Sequence, residues 1–180
     1  MACYQFAALA GLCLGLAAQT PAGNGLESVY TNLAGRGCKL LSVQEEGANS
    51  TQSCPGAGGY RVLVLDSDAR MSVTLVDPAG RKWRLNLWQV VTRSFSSVGP
   101  RAEWRVKRSG ESVRPVAVIV PVNANEDPNA SGATAYLAVA KITPGESCVV
   151  AKIKPSANAM GEARAEADDA ASKPCLKELE

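Results

Sequence analysis

Apolar and polar residues alternate over much of the chain, and the longest clean run lies near its middle. Met71-Ser-Val-Thr-Leu-Val76 places Met71, Val73 and Leu75 on one face of a pleat. Asp77-Pro-Ala-Gly80 follows, where Pro78 fixes φ and Gly80 is free to take a positive value. Beyond it, Trp83, Leu85 and Leu87 alternate with Lys82, Arg84 and Asn86, which predicts a hairpin. The strand Tyr60 to Leu65 is expected to pair beside it. Trp88 breaks the alternation, so either a bulge near Leu87–Trp88 or a strand covered on both faces is predicted.

The same reading extends toward the C-terminus. Ala102, Trp104 and Val106 point inward, with Glu103, Arg105 and Lys107 outward. Pro115 to Pro121 is continuously apolar, as in a central strand buried on both faces. Thr134 to Ile142, a turn at Thr143-Pro-Gly-Glu146, and Ser147 to Ile153 make another hairpin. Cys38 to Val43 reads as a short edge strand. Gly23 to Asn32 reads as a flexible lead, Gln44 to Ser53 as a polar loop, Thr92 to Pro100 as a weak strand then a loop, and Val122 to Gly132 as a loop. The period then changes. Ala157 to Ala171 is rich in helix formers, with Met160, Ala163, Ala167, Ala170 and Ala171 forming a stripe of mostly small residues. Ser156 is the predicted cap and Pro174 the stop, giving a helix over about 156–172 with a fraying tail after it. The predicted fold is mainly β: an antiparallel sandwich or partly open barrel of about seven or eight strands carrying one C-terminal helix.

Composition narrows the chemistry. The 180 residues contain no histidine, which excludes Ser-His-Asp and Cys-His catalytic units and the commonest zinc sites. A formal charge of +2 implies neither a nucleic-acid binder nor an acidic tail, but the charge is unevenly spread. Residues 61–114 hold eleven basic against five acidic side chains, whereas the segment from Ser156 holds three against six.

The first residues read as a targeting segment. Phe6 to Ala18 is apolar or small and uncharged, and too short to span a bilayer, for which about 20 residues are needed. Cleavage is expected between Ala17 and Ala22, so residues 1–22 are assigned to a leader and 23–180 to a single domain without a membrane span. Cys3 and Cys13 leave with the leader. Cys38, Cys54, Cys148 and Cys175 remain, an even number suited to an oxidising compartment. Of three pairings, Cys38–Cys54 and Cys148–Cys175 are favoured because each closes a local loop. A four-cysteine zinc site is disfavoured by the absence of any CxxC.

Tyr30-Thr-x-Leu33, Cys54-Pro-Gly-x-Gly-Gly-Tyr60, Ala102-Glu-Trp-Arg105, Pro115-Val-Ala-Val-Ile119, Ala163-Arg-x-x-x-Ala-Asp168 and Cys175 together resemble a family of conserved exported bacterial proteins without an assigned activity. The resemblance implies a periplasmic or secreted location. It supplies no catalytic or ligand residues.

Four features invite a function. The glycine-rich Cys54–Tyr60 segment lacks the Gly-Lys-Ser/Thr of a phosphate loop and reads as a turn anchored by a disulfide. Glu103 with Asp66 or Asp68 is a candidate carboxylate pair for a hydrolase, and a cross-strand ion pair is the simpler explanation. Asn123, Asn125, Glu126, Asp127 and Asn129 bring oxygen ligands to one loop without the order of a calcium loop, so a solvated loop tip is favoured and neither metal nor cofactor is expected. The basic hairpins around Arg81, Arg84, Arg105 and Arg108 suit an anionic envelope polymer or an acidic protein, and no aromatic platform for nucleic acid interleaves with them. The leading expectation is a non-catalytic exported binding module. The alternatives are an inhibitor or accessory partner of a secreted enzyme, acting through Asn123 to Ser131, and the carboxylate-based hydrolase.

Overall fold

The computed structural model describes residues 25–44, 49–127 and 129–180. The predicted leader, residues 1–22, lies outside them. Among the described residues, eleven strands form one mostly antiparallel sheet. In chain order they are β1 (Leu26–Asn32), β2 (Lys39–Gln44), β3 (Asn49–Pro55), β4 (Arg61–Ser67), β5 (Arg70–Val76) and β6 (Lys82–Arg84). A short helix α1 (Leu87–Val90) follows, then β7 (Ser96–Val98), β8 (Arg101–Ser109), β9 (Ser112–Ala124), β10 (Thr134–Ile142) and β11 (Ser147–Ile153). Helix α2 (Ala159–Asp168) and a 3₁₀ turn (Ala170–Ser172) close the chain.

β9 is the hub. One of its edges pairs with β10 along Ala117–Ala124, and the other pairs first with β8 and then with β7. β1 extends the sheet beyond β8, and β11 extends it beyond β10. A parallel bridge between Arg70 and Ser96 joins this half to the meander β2-β3-β4-β5-β6. The sheet folds over, so that Val62, Val64, Val73 and Leu75 of the meander share one core with Trp104, Val118, Val120, Ala138 and Val149 of the other half. Trp104 is wholly buried there and donates from Nε1 to Thr31 Oγ1 at 2.8 Å. A second, smaller core lies behind β9 and β10, where Ala117, Ile119 and Val139 meet Ala163, Ala167 and Ala170. β9 is therefore buried on both faces, as its continuous apolar run requires.

The mainly β class, the central hairpins and the C-terminal helix follow the expectation, and the strand count is higher. β1 and β3 form where a flexible lead and a polar loop were expected. Their polar residues are tolerated because β1 pairs along its whole length with β8, and β3 lies between β2 and β4. The bulge expected at Leu87–Trp88 is instead a helical turn. Asn86 takes a left-handed conformation (φ 47°), ends the strand at Arg84 and starts α1, so Leu87 is buried and Trp88 exposed. β9 runs on to Ala124, into the predicted loop. Helix α2 starts later than predicted, at Ala159, and Ser156 instead accepts from the amide of Asn158 at 3.2 Å. The tail does not fray: the Leu176 amide donates to Val149 O and the Leu179 amide to Gln89 O.

Both predicted disulfides are present, Cys38–Cys54 and Cys148–Cys175. They indicate an oxidising setting outside the cytosol. The first anchors the glycine-rich turn, where Gly58 takes φ +58° and a β-carbon would lie 2.5 Å from Val113 O and from Pro115. No helix among the described residues is long and apolar enough to cross a membrane.

Candidate functional site

The arginines singled out by sequence serve different purposes. Arg81 donates from Nε to Asp77 Oδ2 at 2.6 Å and from Nη1 to Pro144 O at 3.0 Å. Asp77 also accepts from the amides of Ala79 and Arg81, each at 2.9 Å. Burial pushes the Asp77 carboxyl up, but these donors and the guanidinium charge outweigh it and hold it below its ordinary value. Arg81 is thus a turn-closing residue. Arg108 pairs with Glu27 at 2.9 Å.

Arg105 belongs to a clasp that fixes α2. Its Nε donates to Asp168 Oδ1 at 2.6 Å and its Nη2 to Asp168 Oδ2 at 3.0 Å. One strand position earlier on the same face, Glu103 accepts from Arg164 Nε at 2.7 Å and Nη2 at 3.1 Å. Ser28 joins the two pairs, accepting from Arg105 Nη1 and donating to Glu103 Oε1, both at 2.6 Å. Tyr30 OH donates to Glu103 Oε2 at 3.0 Å. Burial pushes Glu103 up, yet the donors from Arg164, Ser28 and Tyr30 and the nearby positive charge prevail, and its carboxyl lies below the ordinary 4.5. Such a group stays ionised and is unsuited to general-acid work. The clasp has a packing reason. Ala163 and Ala167, the buried residues of α2, are joined by Ala170 of the following turn, and each methyl contributes only about 0.8 kcal/mol. Directed charge contacts and Cys148–Cys175 supply what this thin stripe lacks.

Glu103 lines a cleft of about 240 Å³ with Tyr30, Arg101 and Met160. Asp66 and Asp68 line other clefts, so the structure does not bring the proposed carboxylate pair into one site. The calcium-like loop is also spoken for in part: Tyr136 OH donates to Glu126 at 2.6 Å, and Asp127 accepts from the Asn129 amide at 2.8 Å. This contact raises Tyr136 to about 12.

The arrangement left over is the outer face of the β4-β5-β6 meander. Residues directly opposite one another in antiparallel strands share a face. Register therefore places Arg61, Val76 and Lys82 in one row and Leu63, Thr74 and Arg84 in the next. Ser67 and Arg70 end the β4-β5 hairpin on the same face. Arg84 makes no ion pair among the described residues, unlike Arg81, Arg105 and Arg108. It lines a cleft of about 260 Å³ with Arg70, Ser72, Thr74, Asn86 and Trp88. Trp88 is 42% exposed, held out by the left-handed Asn86, while the Leu87 amide is pinned to Ser72 Oγ at 3.0 Å. In the turn between β4 and β5, Asp68 pairs with Arg70 at 2.7 Å. Arg70 also stacks on Phe95 at 4.6 Å.

Sequence reasoning counted Arg61, Arg70 and Lys82 in the basic segment and singled out Arg84, but it did not place them side by side and it missed Trp88. The signal was present in the alternation of β4, β5 and β6, which puts Arg61, Arg70, Lys82 and Arg84 on one side once the hairpins are paired, with Asp66 on the other. Set against protein-family models, curated proteins and solved structures, the chain matches none.

Proposed function

We propose that this protein is an exported, non-catalytic binding module that holds an anionic envelope polymer on the outer face of β4-β5-β6. The observation that carries the reading is the alignment of Arg61, Lys82, Arg84 and Arg70 on one face of the meander, where Asp68 is paired to Arg70. Trp88 adds an indole at the lip of the same cleft, able to stack on a flat or apolar part of the polymer. The leader-like first residues and the disulfides support a periplasmic or secreted setting, where envelope polyanions are available partners. An acidic protein is the competing ligand. The flexible spacing of charge on a polymer suits a face whose cations lie in successive rows rather than in one closed pocket.

The test is binding of the mature chain to a soluble polyuronate over a salt series. Attraction between exposed charges is screened within about 10 Å at 0.1 M salt and about 3 Å at 1 M. Binding is expected at low salt, lost at high salt, and weakened by Arg84→Ala. Binding that ignores salt, or a preference for an acidic protein over every polyuronate, would overturn the proposal.

A further inference from the structure

The sheet face that carries α2 extends beyond the helix. Register sets Tyr30, Glu103, Ile119 and Val139 in one row across β1, β8, β9 and β10. Ala163, Ala167 and Ala170 pack against Ala117, Ile119 and Val139. Two residues along each strand, the next row on that face holds Arg101, Pro121 and Leu137. Met160, near the start of α2, and Tyr30 stand beside this row, and all of these except Val139 and the alanines line the cleft of about 240 Å³ that Glu103 borders. Tyr30 is 48% and Met160 38% exposed, so two large side chains with apolar surface reach solvent in one cleft.

The charged groups of the cleft select the sign of a ligand. Glu103 Oε1 accepts from Ser28 and Arg164, and Oε2 accepts from Tyr30 and Arg164. With two donors on each oxygen, the carboxylate has no acceptor site left for a ligand ammonium or hydroxyl. Arg101 differs. Its guanidinium lies 5.5 Å from the centroid of the Tyr30 ring, and it makes no ion pair among the described residues. Arg164 balances Glu103, so Arg101 leaves the cleft one positive charge in excess.

The floor selects the rest of the ligand. Ile119, Pro121 and Leu137 carry no hydrogen-bonding side-chain group. β8 lies between β1 and β9, β9 between β8 and β10, and β10 between β9 and β11, so the backbone beneath the cleft is engaged within the sheet. A peptide or a sugar would give up water contacts over this floor and find no replacement. A hydrocarbon chain would give up none and gain burial. The volume holds roughly eight water-sized units of about 30 Å³ each, too few for a long lipid chain. We infer that this cleft binds a free aliphatic monocarboxylate of medium length, its chain over Ile119, Pro121 and Leu137 between Tyr30 and Met160, and its carboxylate on Arg101. The site shares no residue with the cleft of Arg84 and Trp88, so the inference stands or falls independently of the polyanion reading.

The probe is octanoate, titrated into the mature, oxidised chain and followed by two-dimensional NMR, with the methyl signals of Ile119, Leu137 and Met160 reporting the place of binding. Shifts at those methyls are expected. Affinity should rise about two- to fourfold for each methylene from butanoate to octanoate, the scale of a buried CH₂, and level off beyond it. Arg101→Gln should weaken octanoate about three- to fivefold and leave neutral 1-octanol unchanged. Met160→Gln, at an exposed position, should weaken both, and Arg84→Ala neither. Octylammonium should bind more weakly than octanoate. The inference is overturned if octanoate moves none of these methyls, if affinity ignores chain length, or if octylammonium equals octanoate. Tighter binding of an apolar peptide through its C-terminal carboxylate would assign the cleft to a protein and refute it. So would binding to phosphatidylglycerol vesicles without any response to free octanoate, which would assign it to a membrane.

Discussion

Removing Arg164 by substitution with methionine gives the sharpest test of how α2 is held. Methionine keeps most of the aliphatic stem and deletes the guanidinium. The side chain of Glu103 is only 3% exposed, so its charge would be left with Ser28 and Tyr30 as neutral donors. Stripping one partner from a buried pair costs about 3–5 kcal/mol, and Arg164 is 43% exposed, so the value must be discounted for solvent. About 2–3 kcal/mol is the expected loss. For a domain of this size that is a fall in Tm of roughly 4–12 °C. Glu103→Gln should cost less, about 1 kcal/mol, because the arginine it frees reaches water. The double variant Glu103→Gln/Arg164→Met should then be more stable than Arg164→Met alone, since the stranded charge is gone. Urea unfolding with disulfides intact, followed through tryptophan fluorescence, reads all three. A loss under about 0.5 kcal/mol for Arg164→Met, or a double variant less stable than that single one, would refute the view of Glu103 as a charge kept buried by its donors.

The remaining outcomes are simpler to state. Because the folded Glu103 carboxyl lies below its ordinary 4.5, its stabilising contribution is full above that value and is lost as pH falls through the folded one; Glu103→Gln should therefore flatten the acid limb of the stability profile. Arg84→Ala should weaken polyuronate binding about three- to fivefold at low salt, one exposed charge contact of roughly 1 kcal/mol, while Arg81→Ala should change stability rather than binding. Replacing Cys148 and Cys175 by alanine opens a loop with a sequence separation of 27 and should cost about 3–4 kcal/mol in urea unfolding; a cost below about 1 kcal/mol would count against the loop-entropy account. Ala69→Gly should stabilise by about 0.5–1 kcal/mol, since Ala69 sits at φ 55° where a β-carbon is strained; an unchanged urea midpoint would contradict this.

The pleated core was legible because alternation reports burial directly. Val73, Leu75 and Trp104 face inward as their spacing requires, and Ala117 to Val120 are buried on both faces of β9. β1 and β3 were illegible because their polar residues are satisfied by strand pairing, a non-local property that no window of sequence carries. The tight turn at Asp68-Ala69 was hidden for the opposite reason: both residues adopt positive φ, where glycine or asparagine is the usual signal. The clasp was half visible. Glu103 and Arg105 were placed on one outward face, but outward there means under α2, and the matching Arg164 and Asp168 lie one helical turn apart on another element. Among the basic residues, Arg81 has its acid partner four residues away, whereas those of Arg105 and Arg108 come from distant segments. Arg105 looked available until α2 brought Asp168 to it.

That matching spacing makes the helix seat polar in the sense of a keyed plug. Two strand residues span about 7 Å and four helical residues about 6 Å, so Glu-x-Arg on β8 meets Arg-x-x-x-Asp on α2 in step. Turning the helix end for end would set carboxylate on carboxylate and guanidinium on guanidinium. Exchanging the signs on both elements together would restore the fit, whereas exchanging them on one alone would eject the helix, so each half of the lock constrains how the other can change over time.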